Sequence, residues 1–262
     1  MPGTLVTYQA IARFGRCMGI TTTRHEPDIA VVTIDFPPVN ALPVRGWFDL
    51  ADAVTTAGRD AHVVVLRADG RGFCAGVDLK EIQRGRDELV GANRGCAAAF
   101  AAVYDCAVPV IAAVQGHCLG GGVGLVGNAD VVIATDDARF GLPEVDRGAL
   151  GAATHLARLV PQHLMRALYF TARSVDADVL RQHGSVYEVV ARDQLDAAAL
   201  ALAAEIAVKD NRVIRAAKEA INGIDPQAVH RSYRYEQGFT FELNLIGAAD
   251  VARQKFLDGH AR

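Results

Sequence analysis

The chain predicts an α/β fold with a helical C-terminal region. Short strand-like runs of apolar and β-branched residues alternate with helical patterns as far as residue 192, and from Asp193 onward only helical patterns remain. Strands interleaved with helices, followed by helices alone, indicate an α/β body that carries a helical region. With 262 residues, of which 51% are hydrophobic, the chain can bury a sizeable core as one large domain or one domain with an appendage.

Five runs have the length and composition of buried strands. Each is short and apolar and contains two or three valines, which favour extended backbone in a packed sheet. The predicted strands are Ile29–Asp35, His62–Leu66, Val110–Val114, Asp130–Thr135 and Val186–Val190.

Helical patterns connect these strands and then fill the end of the chain. The alanine-rich helix that begins at Asp87 is expected to end before Val108, because Pro109 disfavours helical backbone at the preceding residue. The predicted helices are Asp87–Cys106, Asp176–Gln182, Gln194–Val208, Val213–Asn222, Pro226–Ile246 and Ala248–Leu257.

Residues 1–24 are expected to lie outside this core. They lack the continuous apolar segment of a secretory signal, and Met18–Thr22 resembles an ordinary translation start. We therefore expect residues 1–17 to be a disordered arm or a misassigned start. The domain prediction is an N-terminal extension over residues 1–24, an α/β core over 25–192 and a helical region over 193–262.

Composition argues against several classes of partner. The net charge is −3 without a basic block, which argues against nucleic acid or an anionic membrane as the main partner. No apolar run reaches the ~18 residues that cross a bilayer. The five cysteines form no CxxC pair, so they are expected to be buried thiols in a reducing cytosol, and no metal site is predicted.

The glycine-rich run Gly116–Gly124 follows the strand Val110–Val114. Backbone without side chains can turn its N–H groups toward a phosphate or an oxyanion, at the start of a helix whose dipole favours negative charge. Residues Gly122–Gly127 formally spell GxGxxG, but the next strand begins three residues later. A parallel crossover needs about a dozen residues or more, so this spacing excludes the dinucleotide fold.

A second loop, Arg71–Leu79, also leads from a strand-like run into a helix. Two such turns, each aiming one N–H group, can hold one oxyanion between them. Either loop could instead serve only as a tight turn. Asp78 is expected to cap the helix that starts at Leu79.

Three segments together resemble the crotonase (enoyl-CoA hydratase/isomerase) superfamily. They are Phe73–Leu79 (FCAGVDL), Gly116–Leu125 (GHCLGGGVGL) with Asn128–Asp130, and Phe140–Glu144 (FGLPE). The likeness extends from about Ile29 to beyond Asp250. It implies a spiral of ββα turns with C-terminal helices that assemble trimers or pairs of trimers. It also implies an acyl-CoA substrate that carries its own CoA moiety, so no separate cofactor is expected.

The resemblance also implies roles for residues of both loops. The oxyanion donors correspond to the N–H groups of Val77 and Gly121, and the backbone of Ala75 and Gly76 would contact the CoA moiety, Ala75 at its adenine. A basic residue that often precedes the family's Asn-Ala pair is missing before Asn40. Lys80, or Lys255 from a neighbouring subunit, is the candidate replacement for this CoA-phosphate contact.

Glu144 occupies the position where family members commonly carry an acid or base. Two-glutamate hydratases have a second carboxylate twenty residues earlier, where this chain has Gly124. If the backbone here is extended, Asp146 shares a face with Glu144 and raises its pKa. Arg147 could anchor a carboxylate, polarise a ketone or form an ion pair with one of these acids.

Four further residues are weaker candidates. His117 is expected to be a hydrogen-bonded structural residue of the glycine loop. Tyr235, Glu236 and Glu242 lie on the predicted helix Pro226–Ile246, where packing is the preferred interpretation.

Several stretches resemble one actinobacterial subgroup, which opens a ring of a steroid-derived bicyclic diketone carried as a CoA thioester. They are Pro37–Ala41, Gly141–Gly151 and Tyr235–Asn244. The resemblance therefore implies a hydrolase that cleaves a ring C–C bond. Two alternatives remain: a hydratase or Δ-isomerase of ordinary enoyl-CoA, and a CoA-binding protein without catalytic activity.

Overall fold

The computed structural model describes residues 18–258. The expectations for residues 1–17 lie outside this range. Two short 3-10 helices, Pro143–Arg147 and Arg192–Gln194, accompany the main elements. The strands are β1 (Gly19–His25), β2 (Ile29–Asp35), β3 (Ala41–Leu42), β4 (Val63–Ala68), β5 (Gly76–Val77), β6 (Val110–Val114), β7 (His117–Leu119), β8 (Val131–Thr135), β9 (Arg139–Gly141), β10 (Ser174–Asp176) and β11 (Glu188–Val190). The α-helices are α1 (Val44–Asp60), α2 (Leu79–Ile82), α3 (Arg86–Tyr104), α4 (Gly121–Val126), α5 (Ala153–Leu156), α6 (Gln162–Thr171), α7 (Ala177–Gln182), α8 (Leu195–Ala207), α9 (Asn211–Gly223), α10 (Val229–Leu245) and α11 (Ala248–Leu257).

The main sheet has six strands in the order β1-β2-β4-β6-β8-β11. Strand β1 is antiparallel to β2, and the other neighbours are parallel. All of β2 and all of β6 are buried. Helices cover both faces of a parallel sheet, which explains why these strands read as continuous apolar runs instead of alternating patterns. The predicted fold class is confirmed.

Two apolar layers hold the sheet between helices. One layer contains Trp47 of α1 and Phe100 of α3. The other packs Ala199 and Ala203 of α8 against Ile111 and neighbouring strand residues. Because α8 covers this second face, the first long helix after residue 193 belongs to the α/β core and not to a separate helical region.

The N-terminal limit of the core also differs from the sequence prediction. Residues Gly19–His25 form β1, which pairs along its whole length with β2, from Gly19↔Asp35 to His25↔Ile29. The core therefore begins at Gly19, and residues 19–24 are not part of an extension. Most side chains of β1 are exposed, so its sequence lacks the apolar run that marks the inner strands.

Short strands missed by the sequence analysis bring the three motif segments together. β3 pairs with β5, and β7 pairs with β9, which in turn pairs with β10. Backbone bonds link Cys74 N–H to the His117 carbonyl at 3.2 Å and Leu119 N–H to the Cys74 carbonyl at 2.8 Å. The Gly120 N–H donates to the Gly141 carbonyl at 3.0 Å. The first, second and third motifs are thus adjacent.

No helix within residues 18–258 is both long and apolar enough to cross a membrane. The four cysteines in this part of the chain are free thiols and are buried; they are Cys74, Cys96, Cys106 and Cys118. Burial raises the pKa of all four thiols, so they stay protonated at neutral pH.

Candidate active site

The two loops that carry the predicted oxyanion donors contact each other through glycine. Gly76 has φ +90°, and a Cβ atom at this position would lie 3.2 Å from the Gly121 nitrogen. Only glycine adopts this backbone without strain while allowing the second loop so close. The donors Val77 and Gly121 therefore belong to neighbouring backbone segments.

Both loops and Glu144 line one cavity of about 100 Å³. Gly120, at φ +55°, lies against the acid: a Cβ atom there would be 2.5 Å from Oε1 of Glu144. The predicted site residues that line this cavity are Ala75, Gly76, Val77, Gly121 and Glu144. The structure thus brings the backbone donors and the acid together.

The surroundings of Glu144 favour proton transfer near neutral pH. Its Oε2 is buried and has no hydrogen-bond partner within residues 18–258. Burial raises the pKa of Glu144 to about 7, the nearby charge of Arg147 opposes this rise, and the carboxylate of Glu236 adds to it. A carboxyl group with a pKa near the working pH can take and return a proton efficiently.

The predicted placement of Asp146 beside Glu144 is wrong. Residues Pro143–Arg147 form a 3-10 helix instead of extended chain, so side chains three residues apart share a face. Asp146 is exposed and does not line the cavity. Arg147, three residues after Glu144, lines it instead. The 3-10 helix therefore places the cation Arg147, and not a second acid, on the side of Glu144.

The predicted ion pair of Arg147 is absent within the described residues. Its guanidinium lies over the ring of Phe256 in α11, 4.4 Å from the ring centroid, and its Nε is buried without a partner in this part of the chain. Burial lowers the pKa of Arg147, which remains a cation because the ordinary value of arginine is so high.

Helices α6 and α10 fix the loop that follows the 3-10 helix. The Thr240 hydroxyl donates to the Leu150 carbonyl at 2.6 Å and accepts from the Leu150 N–H at 2.9 Å. The hydroxyl of Tyr169 accepts from the Gly151 N–H at 3.2 Å. The Glu236 carboxylate accepts from the Ala153 N–H at 2.9 Å. The C-terminal helices thus hold the acid-bearing side of the cavity.

The remaining predicted residues lie away from the cavity or serve the fold. His117 Nε2 is 2.8 Å from the Val39 carbonyl, as expected for a structural residue. Asp78 accepts from the Lys80 N–H at 3.0 Å and caps α2, which confirms that prediction. Lys80, Lys255 and Glu242 are exposed, and none of them lines the cavity around Glu144.

The position of the missing second glutamate is filled by an aromatic ring. A Cβ atom at Gly124 would lie 2.1 Å from Cζ of Phe100, which is almost fully buried. Phe100 also makes an edge contact with Trp47, with ring centroids 5.8 Å apart. No side chain at position 124 could reach the cavity without displacing this ring.

A family model establishes which protein family this chain belongs to. The family model described as "Enoyl-CoA hydratase/isomerase" matches residues 24–242. The chain belongs to the enoyl-CoA hydratase/isomerase family.

Two curated relatives match at 68% identity, and both are named (7aS)-7a-methyl-1,5-dioxo-2,3,5,6,7,7a-hexahydro-1H-indene-carboxyl-CoA hydrolase. The protein from Rhodococcus jostii aligns over 92% of this chain and 95% of its own length. The protein from Mycobacterium tuberculosis aligns over 92% and 99%. Among solved structures, a probable enoyl-CoA hydratase from Mycobacterium thermoresistibile has a TM-score of 0.78 at 31% identity, over 88% of this chain and 98% of that one.

Sequence reasoning missed the side chains that shape this family site. Trp47 and Phe100 lie far from the motifs along the chain, and no local pattern separates them from ordinary core residues. The placement of Arg147 on the same face as Glu144 could have been predicted from the sequence. A proline followed by a charged stretch is compatible with a helical first turn, in which residues three apart share a face.

Proposed function

We propose that this chain hydrolyses a ring C–C bond in a bicyclic diketone carried as a CoA thioester, the substrate type in the names of its two 68% identical relatives. The observation that carries the proposal is the position of Glu144 beside the backbone donors of two glycine-containing loops; within residues 18–258 no other aspartate or glutamate lines this cavity. Gly124 and Phe100 together argue against the alternative of a two-glutamate hydratase, because the place of the second carboxylate is occupied by a ring.

In the proposed reaction, Glu144 removes a proton from water as the water oxygen bonds to the ring ketone carbon. The bond between this carbon and its ring neighbour then breaks, and the electron pair moves toward the thioester carbonyl. The N–H groups of Val77 and Gly121 hold the enolate oxygen, each contributing about 3–4 kcal/mol. Glu144 returns the proton to the ring neighbour that left with the electron pair, so the molecule gains one water and the attacked ketone carbon becomes a carboxylic acid.

A larger cavity of about 600 Å³ offers space for a bulky acyl group. It lies beside the site and shares Ile82 and Leu89 with the cavity around Glu144. Its other wall comes from α10 and α11, through residues such as Phe241 of α10 and Arg253 of α11. A ring system too large for 100 Å³ can extend into this space. The contacts of Ala75 and Gly76 with CoA, and of Lys80 and Lys255 with its phosphates, stay predictions.

The proposed assembly is a homotrimer or a pair of trimers. Large apolar side chains are exposed on the C-terminal helices, including Ile221 and Ile224 near the end of α9 and Leu245 and Ile246 at the end of α10. Exposed apolar residues in such numbers are typical of surfaces that pair with another chain. Light scattering after size exclusion should give three or six times the mass of the chain; a monomer at micromolar concentration would contradict this.

The test of function is a set of CoA thioesters followed by mass spectrometry. It contains the bicyclic diketone thioester, crotonyl-CoA and a 3-enoyl-CoA. We expect the bicyclic thioester to gain one water and one new carboxyl group. Hydration of a double bond also adds one water but creates no carboxyl group, and coupling to an amine detects this difference. Rapid hydration of crotonyl-CoA with an unchanged bicyclic thioester would contradict the proposal and favour a hydratase. Binding without turnover of any thioester would favour a non-catalytic protein.

A further inference from the structure

Arg147 is the one lysine or arginine that lines the cavity around Glu144 within residues 18–258. The other walls are mostly apolar side chains and backbone, among them Leu79, Leu89 and Ala92. A cation in such surroundings is costly to bury without an anion, and the ring of Phe256 provides only part of the compensation. This arrangement indicates that an anion enters the cavity from outside the chain.

The acids close to Arg147 do not neutralise it. Glu144 and Asp146 both act on its charge through space, yet neither forms an ion pair with it within the described residues. Glu236 is engaged by the N–H groups of Ala153 and Thr154. The buried Nε of Arg147 is thus left without a hydrogen-bond partner in the described part of the chain.

The proposed reaction creates an anion at this place. Glu144 activates the water, so the carbon that this water attacks must lie within hydrogen-bond reach of the water and close to Glu144. That carbon becomes the new carboxyl group, which releases its own proton to solvent at neutral pH and is then an anion. A side chain three residues further along a 3-10 helix projects from the same face as Glu144, so Arg147 lies beside the forming acid.

We infer that Arg147 binds the carboxylate that ring opening produces, which makes it a product-binding and specificity residue; this inference rests on the proposed function. Before the reaction, the same donors face the ring ketone oxygen. After it, the planar guanidinium pairs with the acid and draws it away from Glu144, whose own negative charge would repel it. CoA thioesters that open to an acid are thereby favoured over thioesters with a neutral acyl end.

Binding of chemically prepared ring-opened thioester tests the inference without any turnover. Its affinity is compared by calorimetry with that of the same compound bearing a primary amide in place of the freed acid. We expect wild-type protein to bind the acid at least about tenfold more tightly. Arg147→Met should weaken acid binding at least about thirtyfold and amide binding less than about threefold, because charge-assisted hydrogen bonds are lost only with the acid. Arg147→Lys should recover part of the acid preference.

Arg166→Met is the matched control. Arg166 also stacks on an aromatic ring, with its guanidinium 5.6 Å from the Phe170 centroid, but it is exposed and lies outside the cavity. Its loss should leave both affinities unchanged. Equal binding of acid and amide by wild-type protein would overturn the inference, whichever variants fold. If ring opening itself is not catalysed but the acid preference depends on Arg147, the inference on the anion site stands and the proposed function falls.

Discussion

Two walls of the candidate active site present different groups to the cavity. The glycine wall, formed by Gly76 and Gly120–Gly124, presents backbone N–H groups, and its neighbours are so close that side chains are excluded. The acid wall, formed by the 3-10 helix Pro143–Arg147 and the loop to Ala152, presents side chains whose polar atoms lack partners within the described residues.

The way each wall is fixed differs as well. The glycine wall lies against the rings of Trp47 and Phe100 in the main core. The acid wall depends on hydrogen bonds from helices α6 and α10, and both helices follow this wall in the sequence. We therefore expect substitutions in the glycine wall to act through packing and backbone position. Substitutions in the acid wall should change chemistry while leaving the fold intact.

The largest effect is expected for Glu144→Gln. The amide keeps the size of the side chain but cannot transfer a proton, a step that typically contributes ~10²–10⁴ in rate. Single-turnover kinetics should show a loss of that order, while a non-reactive CoA thioester binds within about tenfold of wild type because backbone loops provide most of its contacts. A rate loss below about tenfold would remove Glu144 as the principal base. Loss of affinity and melting temperature together would mean that the acid wall is structural.

A comparison of Gly121→Pro with Gly121→Ala isolates the backbone donor. Both variants add a Cβ atom that would lie 2.5 Å from Cη2 of Trp47, but only proline removes the N–H group. Proline is tolerated at the first position of a helix, where Gly121 begins α4. We expect kcat of the proline variant to be about 10²–10³ lower than that of the alanine variant. Equal rates in two folded variants would exclude Gly121 as an oxyanion donor.

The acid wall also predicts a dependence of stability on pH. The pKa of native Glu144 is about 7, whereas that of an unperturbed glutamate is 4.5. Between these pH values the native state binds more protons than the unfolded chain, so wild-type stability falls as the pH rises. The Glu144→Gln variant has no ionisable group at this position, so its stability does not fall for this reason as the pH rises.

Chemical unfolding of both proteins at pH 5 and pH 8 measures the difference. Relative to wild type, the unfolding free energy of the variant should be up to about 3 kcal/mol higher at pH 8 than at pH 5. In the same window, wild-type kcat should rise with pH and level off above about pH 7, because the base must be ionised. A stability difference that does not change with pH would mean that Glu144 is not buried in solution as described.

Gly124→Ala tests whether Phe100 closes the position of the second glutamate. The new methyl group meets the Phe100 ring, so we expect a loss of about 1–3 kcal/mol in unfolding free energy despite the better helix propensity of alanine. Phe100→Leu removes the outer ring atoms, and the double variant should lose less than the sum of the two single losses. Additive losses would show that the ring does not press on position 124.

A loss in the same range is expected for Thr240→Val. Valine keeps the shape of threonine but cannot make the two hydrogen bonds to Leu150, so the unfolding free energy should fall by about 1–3 kcal/mol. Arg231→Ala, at an exposed position of the same helix, is the control and should change stability by less than about 0.5 kcal/mol. No change for Thr240→Val would argue against the role of α10 in holding the acid wall.

Local pattern was sufficient for the inner strands and the long C-terminal helices. Val110–Val114 and Ala248–Leu257 have the predicted boundaries, because buried valine runs and helical periodicity are properties of neighbouring residues. The outer strand β1 and the short strands β3, β5, β7, β9 and β10 were missed, since exposed or very short strands carry no such pattern.

The sequence by itself determined the fold class, the family and the positions of the glycine loops and Glu144, because these are written in contiguous motifs. Only the tertiary structure decided which side chain faces Glu144. A 3-10 turn places Arg147 there instead of Asp146, and Phe100 reaches Gly124 from a distant helix. Such neighbours depend on the turn geometry and on packing between segments far apart in the chain, and a pattern along one segment does not contain that information.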